Sequence, residues 1–285
     1  MSNGEERRRA VAAQGAELAV YEYGPGPGPH VPTLLLVHGY PDDHQVFYPL
    51  IDRLSATHHI VAYDTRNAGL SSITERPGNF SLPTLVDDLY TVLSATQASS
   101  VHLVGHDWGS IQAWAAIRDP RAAGRISRFT SISGPDLPFF SWWVRQKVRD
   151  PRGWAQLTGQ LLRSLYVAVF QVPGLPEAAW RLFLTNYYEK ARKRRVGDNP
   201  IRGLALYREN LPVKGNRLPV QLTIPVHVVV PDKDPFLSPN ITDGLENWVS
   251  QLTITHVNAG HWWPETHARD LAALLVPGRN GSREA

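Results

Sequence analysis

Apolar residues fall along this chain in short, nearly unbroken runs separated by stretches with helical spacing. Thr33 to Val37, Ile60 to Tyr63, Val101 to Val104 and Val226 to Val230 carry almost no polar residue. Runs of that length without alternation predict strands covered on both faces, as in a parallel sheet. Leu18 to Tyr23 predicts a first strand, Leu252 to Val257 a last one, and the more polar Phe129 to Ser133 another. Helical spacing occurs from about Gln45 to Leu54, from Leu82 to Thr96, from Ile111 to Arg118 and from Thr266 to Leu275. Pro83 is tolerated in a first helical turn. Strands alternating with helices predict an α/β fold, a mostly parallel central sheet flanked by helices.

The alternation breaks once. From Pro135 to about Leu218 the pattern is helical, rich in aromatic and basic residues and punctuated by Pro151, Pro173, Pro176, Pro200 and Pro212. We expect residues 1–134 and 219–285 to form the α/β core and residues 135–218 to form an inserted helical cap over a site. Residues 1–16 are polar and expected to fray. The Gly24 to Pro29 connector alternates glycine with proline and fits neither helix nor strand. The tail after Pro277 is polar, and no internal repeat is visible.

Composition narrows the classes. The chain has 285 residues, 42% hydrophobic and 19% charged, ordinary for a globular protein with a sizeable core. Net charge is only +3 and the basic residues are spread along the chain, so nucleic acid is not called for as a partner. No cysteine is present, which excludes disulfides, thiolate nucleophiles and zinc–cysteine sites. His256, His261 and His267 lack the spacing of a His-Glu-x-x-His zinc site, and no metal is expected. Glu5 to Arg9 is charged where a signal peptide would be apolar, and no run is long enough to span a membrane. The expectation is a soluble, cytoplasmic protein, with a homodimer left open.

Candidate chemistry concentrates at strand ends. Val101 to Val104 leads into Gly105-His106-Asp107-Trp108-Gly109-Ser110 and then directly into a helical pattern. That is the strand, sharp turn and helix of a nucleophile elbow, with aspartate in the nucleophile's place. Glycines at 105 and 109 suit so tight a turn because a side chain would crowd the backbone. The bland alternative is a helix N-cap, a role aspartate fills well. Asp234 follows the Val226 strand within Pro231-Asp232-Lys233-Asp234-Pro235, and His261 follows the last strand. In an α/β sheet ligands sit beyond the carboxyl ends of the strands, where all three residues should meet. Asp232 competes with Asp234 for the acid's place.

In these motifs and in their order, nucleophile then acid then histidine, the chain resembles the α/β-hydrolases with an aspartate nucleophile: epoxide hydrolases and haloalkane dehalogenases. His38-Gly39-Tyr40-Pro41 and Gly260-His261-Trp262 carry the resemblance further, and it covers about Leu18 to Leu275. The block Val101 to Gly134 is most similar to the hydrolase half of actinobacterial proteins that fuse an epoxide hydrolase to a short-chain dehydrogenase. No Gly-rich dinucleotide fingerprint follows here, so the second enzyme is not expected. The family position of the acid, the second aspartate of Asp-Lys-Asp, favours Asp234 over Asp232. Asp64 to Gly69 resembles the family's Asp-x-Arg-Gly-x-Gly turn with Asn67 for glycine, which asparagine permits through its tolerance of positive φ.

An ionised carboxylate needs no base to attack. Attack on an ester would give a high-energy anhydride, whereas attack on a saturated carbon with a leaving group gives an ordinary ester. His261, oriented by Asp234, can then activate the water that hydrolyses it. Backbone N–H groups of Tyr40 and Trp108 are expected to form the oxyanion hole. Epoxide opening also needs donors to the ring oxygen. The resemblance implies a pair of cap tyrosines, matched by Tyr166 before Phe170-Gln171-Val172-Pro173-Gly174 and by Tyr207 in Tyr207-Arg208-Glu209-Asn210; Tyr187 and Tyr188 compete. Tyr40, Trp108, Tyr166, Tyr207 and Trp262 are expected to bind substrate, in a region made lipophilic by Phe139, Phe140, Trp142, Trp143 and Phe170. The expected reaction is hydrolysis of a lipophilic epoxide to a vicinal diol, without cofactor.

Two alternatives stay open. A dehalogenase would hold halide with Trp108 and a second donor, for which Tyr40 replaces the common asparagine and Trp142, Trp143 or Trp154 would have to substitute. A catalytically idle binding protein could use Lys190-Ala191-Arg192-Lys193-Arg194-Arg195 toward an acidic partner or membrane surface, although such a run is more often a solvated helix face.

Overall fold

The computed structural model describes residues 6–72, 79–212 and 220–276. Eight strands form one sheet in the order β1-β2-β4-β3-β5-β6-β7-β8. They are β1 (Arg7–Ala13), β2 (Ala16–Tyr23), β3 (Thr33–Val37), β4 (His59–Tyr63), β5 (Val101–His106), β6 (Ile126–Ile132), β7 (Val226–Pro231) and β8 (Leu252–Val257). β1 and β2 pair antiparallel and β2 runs antiparallel to β4, while every later pairing is parallel.

Every residue of β3 and β4 is buried, which is why their sequences show runs rather than alternation. Successive side chains go to opposite faces. Leu35, Val37, Leu103 and Phe129 pack on one side with Trp114, and Leu34, Leu36, Val104 and Ile132 on the other with Trp263. Each such aliphatic side chain contributes roughly 1.5–3 kcal/mol by leaving water.

α1 (Tyr48–Leu54) follows a 3₁₀ turn, His44–Phe47, and α2 (Leu82–Ala95) carries Ser81 as its N-cap, accepting from the Thr84 backbone N–H. α3 (Trp108–Ala116) begins directly after Asp107, three residues before the expected start. Among the described residues, six α-helices then separate β6 from β7: α4 (Leu137–Arg149), α5 (Trp154–Arg163), α6 (Leu165–Phe170), α7 (Leu175–Ala179), α8 (Thr185–Arg192) and α9 (Asn199–Asn210). Two short helices, α10 (Trp263–Thr266) and α11 (Ala268–Leu275), close the fold, so the last helical stretch starts slightly before the expected Thr266. The expected end of the insertion near Leu218 and the tail from Pro277 lie outside the described residues.

One expectation fails outright. Residues 7–13 are an edge strand paired with β2 along its whole length, not a frayed terminus. Its first four residues are exposed, so it carries no apolar run by which to recognise it. Asn67 does adopt positive φ, 63°, in the turn after β4.

Candidate active site

β5, β7 and β8 deliver three residues to one edge of the sheet. Asp107 sits between β5 and α3 at φ 52° and ψ −122°, where non-glycine residues rarely settle. Such a conformation costs on the order of 1–3 kcal/mol and persists only where surroundings enforce it. Here they do. A Cβ at Gly105 would lie 2.6 Å from the Ser110 Cα, and one at Gly109 would collide with the backbone of Val37. The Asp107 side chain makes no helix-capping hydrogen bond, so its geometry is not that of a helix N-cap.

The Tyr40 backbone N–H donates to Asp107 Oδ1 at 2.7 Å, and the Trp108 backbone N–H is also directed at this carboxylate. Asp107 is nonetheless pushed up to about 6, because burial raises it more than the neighbouring His261 charge and the two N–H groups lower it. His261 Nε2 is 3.6 Å from Asp107 Oδ2. On the ring's other side, His261 Nδ1–H donates to Asp234 Oδ2 at 2.8 Å. A carboxylate can only accept, so this bond fixes which nitrogen carries the proton. Burial lowers His261, but the charge and hydrogen bond of Asp234 and the charge of Asp107 outweigh it and leave it raised above 6.5. Asp234 runs the opposite way: burial raises it, and the His261 charge and hydrogen bond with the Phe236 backbone N–H bring it below its usual value.

Asp232, the competitor, lies at the surface with its Oδ1 2.8 Å from His256 Nδ1. His106, next to the nucleophile position and fully buried, donates through Nε2 to the His261 backbone carbonyl at 3.0 Å. Burial pushes His106 down to about 3, so it stays neutral and holds that carbonyl without competing for the proton.

Asp107 opens onto a cavity of about 590 Å³. Its wall includes Trp108, Ile111, Leu137, Phe140, Tyr166, Val167, Tyr207 and Phe236. Tyr166 (α6) and Tyr207 (α9) meet edge to face, ring centroids 5.8 Å apart. Burial raises both phenols, with the Asp107 charge adding to each, so both remain protonated donors. The Trp108 ring stands edge-on to Tyr207, ring centroids 5.0 Å apart.

Several expected wall residues stand elsewhere. Tyr40's ring is wedged among Phe170, Trp180 and Tyr207, and Trp262 donates through Nε1 to Asp42 Oδ2 at 3.0 Å; neither forms the cavity wall. Phe139 and Trp143 are buried in the core beneath α4, so of the expected aromatic lining only Phe140 is present, with apolar lining supplied instead by Ile111, Leu137 and Phe236. Tyr187 is exposed and Tyr188 donates to Asp42 at 2.6 Å, so neither competitor joins Asp107. Ser133, Gln160 and Phe236 were not singled out by sequence. Phe236 packs its ring 4.9 Å from His261, and Gln160 donates to the Phe236 carbonyl at 3.0 Å while accepting from the Ser238 N–H at 2.7 Å. Only the proximity of Phe236 to Asp234 in the chain could have pointed to any of them.

Among the described residues, Asp43, His44 and Asp64 are the group whose ligand atoms converge as a metal site would, within 4.8 Å. Asp64 already accepts from Tyr21 Oη, the His44 and Leu70 backbone N–H groups and the His44 ring, so the group closes on itself.

A parallel sheet with a strained acidic turn after β5, a second carboxylate after β7 and a histidine after β8 defines a class of hydrolytic scaffolds. The family described as alpha/beta hydrolase fold matches residues 32–268, and the chain belongs to that family. It is 30% identical over 306 residues to a protein of Mycobacterium tuberculosis called probable oxidoreductase EphD, covering 97% of this chain and 51% of that protein. The chain thus spans about half the length of these relatives. Epoxide hydrolase A of the same organism is 27% identical over 256 residues, covering 89% of this chain and 69% of the relative. Among solved structures, a Bacillus megaterium epoxide hydrolase in complex with an inhibitor superimposes with a TM-score of 0.76 at 21% identity, covering 94% of this chain and 98% of that one. At that identity the likeness concerns the fold.

Proposed function

We propose that this protein is an epoxide hydrolase. The observation that carries the reading is the shared cavity: Asp107, Tyr166 and Tyr207 line one apolar space, with His261 Nε2 3.6 Å from the Asp107 carboxylate. A carboxylate facing two phenol donors across an apolar cavity suits a neutral substrate whose oxygen becomes negative as a carbon is attacked. In this reading residues 135–218 are a cap over the core of residues 1–134 and 219–285.

Tyr166 and Tyr207 donate to the epoxide oxygen while an Asp107 oxygen attacks a ring carbon. The carbon–oxygen bond of the ring breaks, a tyrosine supplies the proton to the departing alkoxide, and an ester joins Asp107 to the substrate. Ester formation removes the negative charge of Asp107. That charge helps to raise His261, so its loss favours the neutral imidazole that the next step needs. His261 Nε2 takes a proton from water as the water oxygen attacks the ester carbonyl, and Asp234 stabilises the imidazolium. The Tyr40 and Trp108 N–H groups hold the oxyanion. Collapse releases the diol as its departing oxygen takes the imidazolium proton, the other proton of the water returns from the Asp107 carboxyl to the tyrosinate, and the water oxygen stays on Asp107.

The halide-binding alternative has less support. Trp108 lines the cavity, but Trp142, Trp143 and Trp154, one of which would have to supply the second donor, are absent from its wall. Trp154 instead donates to the Val148 carbonyl at 3.2 Å on an exposed surface.

Mass spectrometry of His261→Gln incubated with styrene oxide tests the reading. The expected result is an adduct on Asp107 equal in mass to the whole epoxide, abolished by adding Asp107→Asn. An adduct with a haloalkane minus its halide, and none with epoxides, would establish the dehalogenase instead. No adduct across a varied panel of both would return the protein to a binding role.

A further inference from the structure

The outer face of the insertion is unlike the rest of the surface. Eleven of the fourteen large apolar side chains exposed among the described residues lie between Val148 and Tyr187. Leu161, Leu162, Leu165, Val169, Val172 and Leu175 recur at helical spacing through α5, α6 and the turn after it, with Leu162 and Leu165 exposed to 64% and 60%. α6 is the extreme case. Its sequence, Leu-Tyr-Val-Ala-Val-Phe, is apolar throughout, yet none of its residues is buried. A helix apolar all round is normally found inside a core or in lipid, and an apolar surface of this extent marks an interaction site.

Charge identifies the partner. Residues 137–212 hold thirteen Arg and Lys against five Asp and Glu, a surplus of eight, whereas the rest of the chain holds sixteen against twenty-one. Arg149, Arg152, Arg181, Lys190, Lys193 and Arg195 are exposed in this same segment. An apolar face carried by a segment with a surplus of exposed cations complements an anionic membrane surface. It opposes a two-fold contact with a second copy, which would set like charge against like. No helix among the described residues is long and apolar enough to cross a membrane, so the contact is peripheral.

We propose that the outer face of α5 and α6 docks on an anionic lipid bilayer. The inner face of the same two helices contributes Gln160, Tyr166, Val167 and Ala168 to the cavity wall. A lipophilic epoxide dissolved in the bilayer would then have one layer of helices to pass; this last point rests on the proposed function, whereas the docking does not.

Flotation of the full chain with vesicles tests it. Protein should float with vesicles of equal phosphatidylglycerol and phosphatidylcholine, and far less with phosphatidylcholine alone. The triple variant L162Q/L165Q/V169Q, altered only at exposed positions, should lower partitioning at least ~tenfold while keeping its melting temperature. R149Q/R152Q/R181Q should weaken binding to the anionic vesicles alone, as should about 0.5 M salt. Absence of flotation with either vesicle, or flotation unchanged in the L162Q/L165Q/V169Q variant, would overturn the proposal. So would a dimer in solution that this variant dissociates, which would give the face to a second copy. Flotation that persists while no epoxide is hydrolysed would leave the docking standing and refute the proposed reaction alone.

Discussion

Replacing Asp107, the proposed nucleophile, should stabilise this protein. Asp107 is raised from 3.8 to about 6 in the folded state, chiefly by burial. A shift of roughly two units corresponds to about 3 kcal/mol. The sign follows from the direction: the folded state binds this proton more tightly than the unfolded chain, so stability falls as pH rises from about 4 through 6 and the full deficit is present above 6. The side chain is only 14% exposed, so little of this is screened by solvent. Asparagine resembles the protonated carboxyl in shape and carries no charge. Asp107→Asn should therefore gain about 2–3 kcal/mol at pH 8. For a chain of this size that is on the order of 5 °C or more in melting temperature. The diagnostic is pH dependence: the gain should shrink to about half by pH 5, because wild-type Asp107 is then largely protonated too. Melts of both proteins by circular dichroism from pH 5 to 8 provide the measurement. A variant that is less stable at pH 8, or whose advantage does not change with pH, would refute the reasoning.

Three further expectations follow from the same geometry. If the ionised Asp107 is the attacking group, the rate of adduct formation on His261→Gln should rise with pH with a midpoint above the wild-type value of about 6, because the His261 charge that lowers Asp107 is gone; the drop from pH 7 to pH 5 should be at least about tenfold, whereas an ordinary carboxylate would show almost none. Tyr207→Phe should slow single-turnover adduct formation by roughly 10–100-fold with little change in fold, and adding Tyr166→Phe should slow it further, because the first substitution leaves one donor to the ring oxygen. Asp42→Asn should lower stability by about 3–5 kcal/mol in denaturant titrations, because it leaves the Arg194 guanidinium buried with its principal partner gone.

Strand ends were the readable part of this chain. Unbroken apolar runs announced β3, β4, β5 and β7 because those strands are covered on both faces, and the residues just beyond them were then confined to one edge of the sheet. Asp107, Asp234 and His261 lie together for that reason. β1 was missed because an exposed edge strand is held by pairing with β2, and pairing leaves no periodic mark in an Arg- and Ala-rich segment. Within the insertion the spacing showed helices but not which face turned inward. Phe139 and Trp143 went to the core, whereas Leu137 of the same helix lines the cavity, together with Ile111 and Phe236 from distant segments. The basic run at 190–195 shows the same limit. It reads as a solvated face, yet Arg194 is buried against Asp42, 152 residues away, and Arg192 pairs with Glu265.

That buried arginine also constrains how the site can open. Asp42 accepts from the Tyr188 hydroxyl, from Arg194 and from the Trp262 indole, the residue next to His261. Swinging the insertion away as a rigid flap would strip a buried carboxylate of two of its three partners and pull on the segment that carries the histidine. Such a clasp makes α8 the fixed end of the insertion. Any opening that spares this clasp has to fall elsewhere in the insertion, as at α6, none of whose residues is buried.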